Sequence, residues 1–207
     1  MIEAVEITTR DGFVLRGEVA VRASDWIVLV HAPGEDIDAW RPLSTLLEEH
    51  QLTVLAVDLR GHGGSDGEPD TAMAATDVEA MLYYARSHMA LRVFLAAAAA
   101  SAVPVLDIAD RSPVEGLVLV SPLGVQDTGE TPVPRLVLHD PEDAEQEASA
   151  ARLAEAPGWS LGISLPAAGR SCGMVQGEWG ENVTGYVIAF LRDVRLNHPD
   201  RLPPDSD

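Results

Sequence analysis

The chain has 207 residues and a formal net charge of -19, from 33 acidic residues against 14 basic ones. That balance argues against nucleic acid and anionic membrane surfaces as partners, because phosphate binding needs clustered Lys and Arg. Every basic residue is arginine and the single cysteine is Cys172, which excludes a lysine Schiff base, an internal disulfide and a Cys-rich metal site.

The chain opens with two alternating apolar–polar stretches, 5–9 and 13–21, around Asp11-Gly12. This is a hairpin signal with a recognisable turn pair. Residues 26–30 form a short, continuously apolar run, the pattern of a strand covered on both faces. Residues 38–49 follow helical spacing, with Trp40, Leu43, Leu46 and Leu47 on one side. A second buried strand is predicted over 52–59, then a glycine-rich loop over 60–67 and a helix over 71–88.

Residues 91–95 read as a buried strand that runs into five alanines, 96–100, followed by a helix over 101–109. Strands follow at 114–120 and 133–139, a helix at 144–156, a strand at 159–165 and a last helix at 183–194. Residues 198–207 hold three prolines and are expected to form a flexible tail. Alternating strands and helices predict an α/β architecture: a mostly parallel, doubly wound sheet, helices on both faces and an antiparallel hairpin at one edge. The length suits one domain, 1–197. No signal peptide and no apolar run of about 18 residues is visible, so a cytoplasmic location is expected.

These elements in this order resemble the α/β-hydrolase family over nearly the whole chain. Asp11-Gly12-x-x-Leu15-x-Gly17 is similar to the family's opening hairpin, and Val28-Leu29-Val30-His31 to the strand before its oxyanion loop. Asp58-Leu59-Arg60-Gly61-His62-Gly63-x-Ser65 resembles its glycine-rich loop, and Pro134-x-Leu136-Val137-Leu138-His139 with Glu142-Asp143 its acid strand and loop. Only ten residues separate Pro122 from Val133, where many members insert a helical lid, so the resemblance is to lidless members.

The resemblance also implies where a Ser–Asp–His triad would stand. The family's nucleophile sits in Gly-x-Ser-x-Gly, on a strained strand-to-helix turn. Aligned from Pro113-Val114-Glu115-Gly116, that motif falls on Ala97-Ala98-Ala99-Ala100-Ser101, with Ala99 in the nucleophile's place. A rival alignment makes Ser101 the nucleophile, but it puts Val103 where a tiny residue is required. Ala99 is therefore preferred, and Ser101 reads as a small polar residue of the first helical turn. Arg170 takes the position of the histidine base, and arginine cannot act as one. Pro33 takes an oxyanion-donor position and has no N–H to give.

Asp143 alone survives of the triad, and also reads as the N-cap of the following helix. Pairing with Arg170 would offset its isolation, so an Asp143–Arg170 salt bridge is expected. Cys172 reads as a packing thiol.

The sequence thus predicts a hydrolase relative without a working triad: a small-molecule binder, partner subunit or regulatory protein. An active ester or thioester hydrolase using Ser101 is the alternative. The pocket is expected at the carboxyl ends of the strands, with Ala32, Pro33, Ala99, Ala100, His139 and Arg170 in its walls. Arg170 would favour a small carboxylate ligand if it were not engaged by Asp143. No metal or cofactor is expected, and a homo-oligomer or protein partner stays open.

Overall fold

In the computed structural model, residues 2–197 are described. The expected tail, 198–207, lies outside the described residues. The elements are β1 (Ile2–Thr8), β2 (Val14–Ala20), β3 (Asp25–Val30), α1 (Arg41–Glu49), β4 (Thr53–Val57), α2 (Ala74–Ser87) and β5 (Arg92–Ala98). After them come α3 (Ala102–Arg111), β6 (Gly116–Val120), β7 (Arg135–His139), α4 (Ala144–Glu155), β8 (Ser160–Ser164), α5 (Gly173–Gln176) and α6 (Gly180–Leu196).

The eight strands form one sheet in the order β1-β2-β4-β3-β5-β6-β7-β8. β1 pairs antiparallel with β2 and β2 antiparallel with β4, whereas β4 through β8 run parallel. The two-residue period of a strand sends alternate side chains to opposite faces, and here it builds two cores. In β5, Val93, Leu95 and Ala97 join the core under α2, α3 and α4, while Phe94, Ala96 and Ala98 join that under α1, α5 and α6. The continuous apolar runs of β3 and β4 are buried at every position, as strands covered on both faces must be.

The structure differs from the sequence expectation mainly at boundaries. β5 extends through Ala98, so three of the five alanines are strand and the rest begin a 3₁₀ turn, Ala99–Ser101. Small side chains suit this position, where the central strand is fully buried. The helix expected over 38–49 divides into a 3₁₀ turn, Ile37–Trp40, and α1, with Pro42 in the first turn of α1. α5 is a single turn that helical periodicity cannot reveal. No helix lies between β6 and β7, so the carboxyl edge of the sheet carries no lid.

The glycine-rich loop after β4 is fixed from several sides. Asp58 accepts from the backbone N–H groups of Ile37 at 3.0 Å and Gly64 at 2.8 Å. A Cβ on Gly63 would lie 2.0 Å from the Asp58 carboxylate, and its φ is +47°, so only glycine fits. Ser65 donates to the Asp58 carbonyl and accepts from the Arg16 N–H, tying the loop to β2. The Arg60 guanidinium is buried between Asp77 of α2 at 2.7 Å and Asp11 of the hairpin turn at 2.8 Å. These contacts make the loop a rigid wall at the carboxyl edge.

Candidate functional site

β3 and β5 are neighbours, but α1 follows β3 on one face and α3 follows β5 on the other. Their loops therefore part at the carboxyl edge and leave a crevice, the usual place for a ligand site in an open α/β sheet.

On the β5 side of the crevice stands Ala99. Its φ is +50°, in the left-handed region that costs a residue with a Cβ about 1–2 kcal/mol. Its methyl is buried, with 4% of the residue exposed. Ser101, two residues on, is 2% exposed, and its hydroxyl donates to the His31 carbonyl at 2.6 Å. That bond stitches the turn after β5 to the end of β3. Ala100 between them is exposed.

On the β3 side, His31 is fully buried. Its Nδ1 bonds the Ala32 carbonyl at 2.8 Å and its Nε2 accepts the Leu59 N–H at 2.9 Å. Burial holds the imidazole below its ordinary pKa. His62 mirrors it from the glycine loop: Nε2 accepts from the Gly34 N–H and Nδ1 bonds the Arg60 carbonyl, both at 2.9 Å. Both histidines are loop braces. Pro33 is exposed and brings no N–H, while the Ala32 N–H is taken by the Glu35 carboxylate at 3.3 Å.

Glu35 is a residue the sequence did not single out. Its carboxylate also stands near the thiol of Cys172, which is fully buried; burial first, and then this carboxylate, push the thiol far above its ordinary pKa. Cys172 is therefore a packing thiol with no thiolate to offer.

The loops after β7 and β8 form a separate group, two strands away from β5. Asp143 caps α4, accepting from the Glu145 and Gln146 N–H groups. The expected salt bridge is present: Arg170 Nε lies 2.5 Å and its Nη2 2.9 Å from the two Asp143 oxygens. Arg170 also meets Glu145 at 3.2 Å. The guanidinium holds the Asp143 carboxyl below its ordinary pKa, and Asp143 raises that of Arg170.

Gln146, buried, donates to Asp143 and to the Gly169 carbonyl and accepts the Asp140 N–H. Asp143-x-x-Gln146 has the spacing of a capping box, a signal available in the sequence; here the glutamine reaches to the neighbouring loop instead. His139 makes other contacts, with Nε2 3.0 Å from Glu147 and 3.2 Å from the Ser164 hydroxyl.

The crevice contains a cavity of about 80 Å³ lined by Pro33, His62, Pro69, Ala74, Ala100 and Pro104, among others. Of the six residues expected to wall a pocket, Pro33 and Ala100 line it. Ala32 and Ala99 are packed into the core beneath, and His139 and Arg170 belong to the β7–β8 side. A larger depression of about 320 Å³ beside Trp159 and Asn197 opens at the opposite, amino-terminal edge of β6–β8. Among the described residues, no group of three or more His, Cys, Asp or Glu side chains could hold a metal ion, and no helix is long and apolar enough to cross a membrane.

A mostly parallel sheet, an antiparallel opening hairpin, a sharp left-handed turn after the central strand and an acid loop after β7 define a lidless α/β hydrolase fold. The profile of the alpha/beta hydrolase family matches residues 27–205, and the chain belongs to that family.

The fold is similar to that of the esterase Pf2001 of Pyrococcus furiosus, with a TM-score of 0.76 and 17% identity over 93% of this chain and 92% of that one. It is equally similar to XC6422 of Xanthomonas campestris, an α/β serine hydrolase without a lid, with a TM-score of 0.76 and 18% identity over 93% and 94%. The α/β hydrolase GrgF from Penicillium sp. sh18 superimposes with a TM-score of 0.78 and 16% identity, over 96% and 99%. In sequence, the polyketide transferase GrgF of Penicillium sp. is 41% identical over 68 residues, which span 31% of this chain and 23% of that protein.

Proposed function

We propose that this protein is a hydrolase relative without hydrolase activity, a cytoplasmic protein that binds a small molecule or serves as a partner or regulatory subunit. The observation that carries the reading is Ala99. It adopts the strained left-handed turn that the fold reserves for its nucleophile, φ +50°, and presents a methyl group there. The strain has been kept and the hydroxyl is gone.

Three further features support it. Arg170, read as standing in the base's place, is committed to Asp143 and stays protonated. Pro33 has no N–H for an oxyanion, and the Ala32 N–H faces the Glu35 carboxylate. Loss of a triad serine or histidine alone costs about 10⁶-fold in turnover. The alternative nucleophile, Ser101, has its proton in a 2.6 Å bond to a buried carbonyl and no histidine partner. The esterase Pf2001 and the transferase GrgF mark the chemistry from which such a binder would have diverged.

Treatment with an alkyl fluorophosphonate, followed by mass spectrometry of the intact chain, tests the proposal. No adduct is expected, and p-nitrophenyl butyrate hydrolysis should equal that of the Ser101→Ala variant. Covalent labelling of Ser101 would overturn it.

A further inference from the structure

The crevice cavity carries a statement about what is bound, one that rests on reading this protein as a small-molecule binder. It lies at the ends of β4, β3 and β5, between the glycine loop, the first turn of α2 and the first turn of α3. Asp143 and Arg170 stand at the ends of β7 and β8, with β6 between. Neither residue aligned with the triad acid and base lines the cavity.

Its chemistry follows from what each lining group is already doing. The Arg60 guanidinium is spent on Asp77 and Asp11, and the Asp77 carboxylate on Arg60. Both ring nitrogens of His62 serve backbone groups. The Ser101 hydroxyl serves His31, and Asp70 caps the turn that opens α2 through the Ala72 N–H. Thr71 adds an exposed hydroxyl, and the other lining side chains, Leu59, Ala74, Ala100 and the three rigid rings of Pro33, Pro69 and Pro104, are carbon.

A carboxylate inside would find no free cation and would lose its hydration without return, and one held at the mouth would face the exposed Asp70 carboxylate. A chain of the same length with a neutral head buries only its apolar end and meets no charge repulsion at the mouth. A dry cavity of about 150 Å³ holds benzene. About 80 Å³ with an open mouth thus takes roughly three or four non-hydrogen atoms.

We propose that this cavity binds the end of a short, uncharged aliphatic chain, its polar head left at the mouth beside Ala100 and Thr71. The small-carboxylate ligand that Arg170 would have favoured is replaced by an uncharged one, because Arg170 is engaged.

Amide NMR titrations with 1-butanol, butyramide and butyrate test this on one chain length. Saturable shifts at Ala74, Ala100 and Ser101 are expected for the two neutral ligands, with butyrate at least tenfold weaker. Ala100→Leu and Thr71→Phe change exposed residues on opposite rims, and each should weaken butyramide binding at least tenfold. Butyrate binding as tightly as butyramide would overturn the proposal. So would shifts lying elsewhere, or unchanged affinity in whichever of the two variants gives a native spectrum. Fluorophosphonate labelling of Ser101 alongside normal butyramide binding would remove the loss of activity and leave the cavity standing; the reverse pattern would remove the cavity alone.

Discussion

At the scale of single residues, Ala99 and Ser101 carry opposite kinds of information. Ala99 keeps a backbone geometry that is costly for alanine, so the turn is held by its surroundings rather than by its own preference. Leu123 contributes to that hold by donating to the Ala99 carbonyl at 3.2 Å. Ser101 is a structural hydroxyl, and its role predicts a particular failure. Ser101→Ala leaves the His31 carbonyl buried without its donor, so the variant should lose about 1–3 kcal/mol of stability in urea unfolding. Residual ester hydrolysis should not change. A variant as stable as the parent would contradict this account, and a fall in hydrolysis would restore Ser101 as a nucleophile.

The family's turn and loops have fixed spacing, so motif alignment points to Ala99, Asp143 and Arg170, and of these the structure pairs Asp143 with Arg170. Glu35 was not legible: in the sequence it is one acidic residue in a polar loop. Only folding brings it to the Ala32 N–H and to Cys172, 137 positions further along.

At the scale of elements, the loops after β3 and β4 are joined by two histidines acting as acceptors. A ring nitrogen that accepts a backbone N–H must be unprotonated. For His31 the burial that enforces this is complete, and the nearby Asp58 and Glu35 carboxylates do not outweigh it. The His62 ring, 5.1 Å away, adds to the effect.

The sign of the linkage follows. The folded pKa lies below the ordinary 6.5, so in acid the unfolded chain takes up a proton that the native chain refuses. This contribution to stability is present above pH 6.5 and is lost as pH falls below it, by up to about 1.4 kcal/mol per pH unit for one proton. Urea midpoints at about pH 7.5, 6.5 and 5.5 should fall accordingly, and His31→Gln should flatten the decline while lowering stability throughout. Equal slopes in parent and variant would place the pH dependence elsewhere.

The sequence puts His31 and His62 in the loops that follow two buried strands. Which backbone groups they hold depends on loop paths that no periodicity encodes. For the same reason the boundaries of β5 and the single turn α5 escaped, while long apolar runs and helical stripes were readable.

At the scale of the whole molecule, the charge of -19 is the dominant fact. The fold answers it unevenly. Two clusters are built around buried side chains: Arg60 held by Asp77 and Asp11, and Asp25 held by Arg92 and Arg195 at 2.8 and 2.7 Å. Most other ion pairs are exposed, such as Arg41–Glu18 and Arg111–Asp107, and are worth about 0–1 kcal/mol each. The remaining carboxylates repel one another across the surface, and that repulsion opposes the compact state.

Salt acts on these terms differently. The Debye length shortens from tens of ångströms at low salt to about 10 Å at 0.1 M, which screens the long-range repulsion and the exposed pairs but hardly touches the buried clusters. Repulsion among so many like charges outweighs a few weak exposed pairs, so stability should rise with ionic strength. Raising NaCl from about 20 mM to about 500 mM at neutral pH should raise Tm by about 2–6 °C, equivalent to roughly 1–2 kcal/mol for a chain of this size. KCl should reproduce the effect at equal ionic strength, as screening by a simple electrolyte requires. A Tm that falls with either salt would mean that the exposed ion pairs, rather than net repulsion, govern the surface of this fold.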